Sequence, residues 1–363
     1  MAKQKKDKRF PRVKSFLVNL FLGGNLFTLA LLWTCCASTW INPILHPRIA
    51  VVGLAFPVLL LLNLIFIPLW LIYKPRLVVV PIVGIALCGS YVLDYFPLGL
   101  GADEEPELRI LTWNCHEMSF YKKGDSMQIA FDYVLESNAD IICLQEFNYK
   151  AKKYTPLHDA MDSLGYTSYY DGSRTIYTRF PVVESWPITH PDSVKSDIIR
   201  SDVQYGDEIL TIYCAHLESN KISPDDKDEY AGVIEDPGRD NVEAEVRYLS
   251  GKLSDAAYIR AQQVQRLLAN VDSLPEGRSV ILCGDFNDTP ISYTYQACSR
   301  RFQNAFRSRG RGVGISFSER YFPVRIDNVF FSRDWECTNV LIDHSITASD
   351  HYPLLAGLKK RRN

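Results

Sequence analysis

Five apolar runs in the C-terminal part of the chain break off abruptly at residues able to hold a metal ion or a phosphate group. They read TWN, LQE, AHL, GDFND and SDH. The residues at the breaks are Asn114, Glu146, His216, Asp285 with Asn287, and Asp350 with His351. One acid after a strand is ordinarily a solvated turn residue, but five coincident breaks point to a shared site. Ionised carboxylates and a carboxamide are oxygen ligands suited to Mg²⁺ or Mn²⁺. Two imidazoles beside them can pair with phosphate or move protons. No cysteine-nucleophile motif accompanies them, so the chemistry expected is metal-assisted attack of water on phosphorus.

The elements that must position these residues alternate between strand and helix. Leu108–Asn114 is a strand run, and Asp140–Gln145 is a continuous apolar strand of the kind buried on both faces. Between them Met127, Ala130, Phe131 and Val134 recur at helical spacing, with Ser126 as N-cap. Pro156–Leu164 reads as a helix ended by Gly165, and Ile176–Val183 and Ile209–His216 as strands. Ala257, Ala261, Val264, Leu267, Leu268 and Val271 give a long amphipathic helix after Ser254, and Val280–Gly284, Asp327–Phe331 and Leu354–Leu358 are further strands. Glu218–Asp255, with eleven acids against five bases and no clear period, reads as an insertion loop or lid. Cys115, Cys143, Cys214 and Cys283 lie inside apolar runs, where a thiol acts as a small hydrophobe. The expected architecture is two packed sheets with helices outside.

In order along the chain, TWN, LQE, AHLES, GDFND, IDNVFF and SDHYP resemble the endonuclease/exonuclease/phosphatase superfamily over about Leu108 to Gly357. The resemblance implies a four-layer α/β sandwich and a Mg²⁺- or Mn²⁺-dependent hydrolase of phosphoric esters. It implies that Glu146 is the main metal ligand, with Asn114 and Asp350 beside the metal. Asp285 and Asn287 would hold or activate the attacking water, Asn287 would also orient the phosphate, and His216 would contact the phosphate or stand on the leaving-group side. His351 would stabilise the transition state or act as base, with Asp327 holding its ring. Whether Asp285 or the His351–Asp327 pair takes the water proton stays open. His116, Arg174 and Arg179 are expected to be solvated or satisfied residues outside the machinery.

The N-terminal part is of another kind. Residues 1–100 carry ten Lys or Arg and two acids, a balance of +8, against 30 bases and 40 acids, a balance of −10, in residues 101–363. This excludes a uniform soluble domain and a strongly basic nucleic-acid module. Three apolar runs, about Phe16–Trp40, Ile49–Ile72 and Leu77–Tyr95, predict three transmembrane helices. Seven basic residues precede the first run and two lie in the 73–76 turn, against Arg48 alone in the 41–48 turn, which predicts a multi-pass protein with its C-terminal part outside the cytoplasm. The organisation expected is a basic cytoplasmic tail (1–15), a membrane domain (16–98), a linker (99–107) and a catalytic domain (108–363). The partners expected are membrane lipid, through the three helices, and a phosphate ester, which can be a nucleic acid, a lipid head group or a small molecule. No protein partner follows from the sequence. The competing reading is a non-catalytic membrane receptor for a phosphorylated ligand on the same fold. A transport role is disfavoured because the runs lack internal ionisable residues.

Overall fold

The computed structural model describes residues 9–101, 104–118, 126–189, 196–223, 225–226, 228, 232, 235–236, 242–319 and 322–361. Residues 1–8 of the basic tail, and much of the acidic segment before residue 242, lie outside this set.

Two mixed six-stranded sheets form the C-terminal part. The first runs, in spatial order, Trp335–Ile342, Leu354–Lys360, Leu108–Asn114, Ile141–Gln145, Arg174–Thr178 and Thr167–Asp171. The second runs Val182–Thr189, Ser196–Tyr205, Glu208–His216, Ser279–Asp285, Asp327–Phe331 and Gln303–Asn304. The parallel pairings join Leu108–Asn114 to Ile141–Gln145, and Glu208–His216 to Ser279–Asp285. Strands Ile141–Gln145 and Ser279–Asp285 are buried at every position, as strands covered on both faces must be.

Ile110, Cys143, Cys214, Ile281, Cys283 and Val329 belong to the core between the sheets. Outside the first sheet, Phe131 and Val134 of helix Ser126–Glu136 and Leu157 and Met161 of helix Thr155–Ser163 cover Ile142 and Leu144. Outside the second, Val264 and Leu267 of helix Val242–Asp272 cover Tyr213 and Leu282. Helix, sheet, sheet and helix thus stack as the expected four-layer sandwich.

Local differences from the sequence reading have physical causes. Helix Val242–Asp272 starts twelve residues before Ser254, so the end of the acidic segment is helix and not loop. Its Glu243 and Glu245 sit in the first turn, where the helix dipole favours acids. The single strand expected over Ile176–Val183 is two strands that separate at Arg179–Pro181 and enter different sheets.

The N-terminal part holds helix Arg9–Ser38, a tight 3₁₀ segment Pro47–Ala55, and helix Phe56–Tyr73. Two stretches, Ser15–Ser38 and Pro47–Tyr73, are long and apolar enough to cross a membrane. Between them Asn25 Nδ2 donates to Asn63 Oδ1 at 3.1 Å, and Trp70 Nε1 donates to Asn25 Oδ1 at 3.0 Å, a buried polar tie between the two helices. The third run is not one continuous helix. Pro75–Ala86 and Gly89–Tyr95 meet at a 67° bend, so there are two spans, or three if the bent pair crosses as one.

The second arm of the bent pair is tied to the sandwich. Asp94 accepts from Gln296 Nε2 at 2.8 Å and pairs with Arg307 Nε at 3.2 Å. Arg325, 2% exposed, donates to the Asp94 carbonyl oxygen. Gly53 lies against the loop after GDFND so closely that a Cβ there would come within 2.0 Å of the Ile291 carbonyl oxygen.

Candidate active site

Sheet register gathers the strand-end residues. In the second sheet His216 lies opposite Asp285, and Asp285 opposite Asp327, so three of the expected side chains stand in one row. In the first sheet Asn114 pairs with Gln145, which leaves Glu146 one residue beyond the ladder. Glu146 turns at φ 52° and Asn287 at φ 50°, in the left-handed region that non-glycine residues adopt rarely and chiefly at functional turns. Asn114 joins the two sheets: its Nδ2 donates to Glu146 Oε1 at 3.1 Å and to Asp285 Oδ2 at 3.0 Å.

The remaining contacts close the cluster. The Asn287 backbone N–H donates to Asp285 Oδ1 at 2.8 Å, while its Nδ2 donates to the Leu217 carbonyl oxygen at 3.0 Å and to Asp285 Oδ2 at 3.2 Å. His216 Nε2 lies 3.6 Å from Glu146 Oε1 and 3.8 Å from Asp285 Oδ2. His351 Nδ1 lies 2.8 Å from Asp327 Oδ2, and its Nε2 3.7 Å from Asp285 Oδ2. Trp113 Nε1 donates to the His351 carbonyl oxygen at 2.9 Å, and Ser349 Oγ to that of Asn114 at 2.8 Å, which locks the SDH turn onto the TWN strand. Glu146, Asp285, Asn287, Asp350 and His351 line a cavity of about 280 Å³. Asn114, His216 and Asp327 each lie within 4 Å of one of these five.

The electrostatics are those of a dense anionic site. Burial raises the Glu146 carboxyl, but hydrogen bonds from His116 and Asn114 and the nearby His216 outweigh it and hold the group at about 2. Burial works against a charged His351, yet Asp327 and Asp285 outweigh it and lift the ring to about 10. Burial raises the Asp285 carboxyl, against the pull of His351. One oxygen of Asp327, Oδ1, is buried with no hydrogen-bond partner.

The donor set fits a hard divalent cation. Glu146 Oε2 and Asp350 Oδ1 converge on one atom, His116 Nδ1, at 3.1 and 3.8 Å, with the Asn114 amide beside them. Two carboxylates are donors Mg²⁺ or Mn²⁺ prefers, and Asn114, whose Nδ2 now donates to Glu146, could add its amide oxygen by turning its side-chain amide over. Asp285, Asp327 and His351 offer a tighter group, with ligand atoms within 4.8 Å of one another. There His351 Nδ1 already bonds Asp327, an arrangement that fixes the ring tautomer and suits proton transfer.

The sequence profile of the Endonuclease/Exonuclease/phosphatase family matches residues 111–351. The chain belongs to this family. Its members hydrolyse phosphoric esters and generally depend on a divalent metal. A second profile, a domain of unknown function, matches residues 18–95. Among curated proteins no sequence matches the chain. In structure the chain is similar to the human Nocturnin catalytic domain with bound sulfate, at 17% identity over 72% of this chain and 97% of that one, with a TM-score of 0.51. It is also similar to D. rerio TDP2 complexed with a single-strand DNA product, at 16% identity over 70% and 99%, with a TM-score of 0.49.

Three residues stand differently from the sequence reading. His116 is part of the cluster, held against Glu146 and Asp350. It follows a motif residue by two positions, and nothing in its spacing marks it. Arg174 is not solvated: it is 8% exposed, beneath the loop at Gly172. Arg260, which belongs to none of the motifs, lines the cavity, donating to Asp288 Oδ2 at 3.2 Å and to Asn220 Oδ1 at 2.8 Å. Its signal was periodicity, because it shares a face of the long helix with Leu253 and Ala257.

Proposed function

We propose that the chain is a membrane-anchored hydrolase of phosphoric esters that depends on Mg²⁺ or Mn²⁺. The observation that carries this reading is the convergence of eight side chains from six strand-end segments on one cluster, five of them lining one cavity. Glu146, Asn114 and Asp350 would hold the metal, which when bound supplies positive charge to the phosphoryl oxygens. Asp285, oriented by the Asn287 backbone, holds the attacking water. His216 and the Asn287 amide contact the phosphate. The water oxygen bonds to phosphorus, the ester P–O bond breaks, and the leaving alcohol takes up a proton. The water proton passes to Asp285 or to His351, and Asp327 keeps the His351 ring in the required tautomer.

In this reading residues 16–98 form the membrane domain, 99–107 a linker and 108–363 the catalytic domain, on the non-cytoplasmic face. The placement is supported by the fold's polarity. Segments Pro47–Ala55 and Gly89–Tyr95 dock on the sandwich, while the basic 73–76 turn lies at the other end of helix Phe56–Tyr73. The test is an assay of the full-length protein against DNA, phospholipid and small phosphate esters, with and without Mg²⁺. Metal-dependent hydrolysis of at least one class is expected. Binding without turnover in every class would favour a receptor.

A further inference from the structure

The cavity that holds the polar cluster has a second wall, which the hydrolytic chemistry does not use. Ala50, Val51 and Leu54 line it, and all three belong to the 3₁₀ segment that leads into the second apolar helix. Leu253 and Ala257 of helix Val242–Asp272 extend the apolar lining. Arg260, one turn further along the same helix face, stands at the polar side beside Asp288. The lining therefore passes from aliphatic to charged along one helix.

The wall is fixed and its depth is defined. Gly53 is pressed onto the Ile291 carbonyl, so the segment cannot lift away without losing its seat on the loop that carries Asp285 and Asn287. Helix Phe56–Tyr73 has 18 residues. At about 1.5 Å per residue it rises about 27 Å, close to the roughly 30 Å of a hydrocarbon core. With Phe56–Tyr73 as the bilayer-crossing part of the candidate span Pro47–Tyr73, Pro47–Ala55 and the apolar end of the cavity stand at the lipid–water boundary.

Resting on the hydrolase reading above, we infer that the substrate is an amphiphilic phosphate ester. Its phosphate occupies the polar end, and its aliphatic chain lies against Ala50, Val51 and Leu54. A sugar phosphate has no apolar group for this wall, and a nucleobase lacks an aliphatic chain that would follow it towards the lipid–water boundary. The bond chemistry is unchanged: the water oxygen joins phosphorus, the ester P–O bond breaks, and the alcohol leaves with a proton.

The test uses the full-length protein in detergent with Mg²⁺. Methyl and octyl p-nitrophenyl phosphodiesters, and the matching alkyl phosphate monoesters, are supplied below their micellar concentrations. Octyl should exceed methyl in kcat/KM by at least about tenfold, since burying two methylenes alone strengthens binding by about that factor. Leu54→Asn and, separately, Val51→Asn should lower this octyl-to-methyl ratio by a similar factor. A diazirine at the end of the octyl chain should label a peptide within residues 47–55 of the unmodified protein, a readout that does not depend on either variant folding. Equal kcat/KM for both chain lengths, a preference that both variants leave intact, or labelling only elsewhere overturns this inference and leaves the hydrolase reading standing. Absence of turnover for all of these esters overturns this inference, and the hydrolase reading falls only if DNA, phospholipid and small phosphate esters are also not turned over.

Discussion

His351 presents its two ring nitrogens to two different carboxylates, Nδ1 to Asp327 at 2.8 Å and Nε2 to Asp285 at 3.7 Å. In the proposed mechanism Asp327 orients the ring and Asp285 shares its work on the attacking water. General acid–base groups contribute about 10²–10⁴-fold. His351→Ala and Asp285→Ala should therefore each lower kcat by at least about 10²-fold, with smaller effects on KM. Asp327→Asn should lose less, because the ring remains. The double variant Asp327→Asn/His351→Ala should be little worse than His351→Ala alone, since groups that act as a unit are not additive. A double variant showing the product of the two single losses would separate Asp327 from His351.

Glu146 tests the metal. Excess chelator should abolish activity, and Mg²⁺ or Mn²⁺ should restore it. Glu146→Gln should raise the metal concentration needed for half-activity by at least about tenfold, the lower end of what even supporting groups cost. Circular dichroism of the variant should match the parent. An unchanged metal requirement would remove Glu146 from the metal site.

Gly284 tests the frame behind the site. Its φ is 137°, and a Cβ there would come within 1.9 Å of the Ala215 carbonyl oxygen. Gly284→Ala must distort the parallel pairing that sets His216 opposite Asp285. A loss of roughly 3 kcal/mol or more is expected from a strained backbone combined with overpacking. Thermal unfolding should show a clear drop in Tm, with activity reduced even where the fold survives. A Tm equal to the parent's would contradict the close approach.

Topology is tested by charge. Nine basic residues in the tail and the 73–76 turn face Arg48 alone in the 41–48 turn. A reporter fused after Asn363 should be active only outside the cytoplasm. Replacing Lys74 and Arg76 by Gln should weaken that preference. A fusion active in the cytoplasm would require two crossings in place of three, with the bent Pro75–Tyr95 pair returning to the side it entered.

How much was legible beforehand follows from which interactions are local. Strand ends were readable because an apolar run broken by Asn114, Glu146 or Asp285 is a contrast between adjacent residues. The row His216–Asp285–Asp327 was not, because register is decided by pairing between distant segments. His116 escaped for the same reason: its role comes from Glu146 and Asp350, which lie far along the chain. The bend between Ala86 and Gly89 is invisible to hydropathy, which sees length and composition but not the long-range contacts, such as those of Asp94 with Gln296 and Arg307, that hold the second arm. The start of the long helix at Val242 was hidden by a polar first turn, where exposed Glu243 and Glu245 mask the apolar period.

Arg325 sits almost wholly buried with its guanidinium on the Asp94 carbonyl, the Val313 carbonyl at 2.8 Å and the Phe306 ring at 4.3 Å. Deleting the N-terminal hundred residues would therefore remove one carbonyl partner of Arg325 and bare the apolar seat of Ile291. In the proposed reading the abrupt change in charge near residue 100 marks a change of solvent, yet buried contacts cross it. The two parts share buried contacts, so a truncation meant to yield a soluble catalytic part would lay open some of its interior.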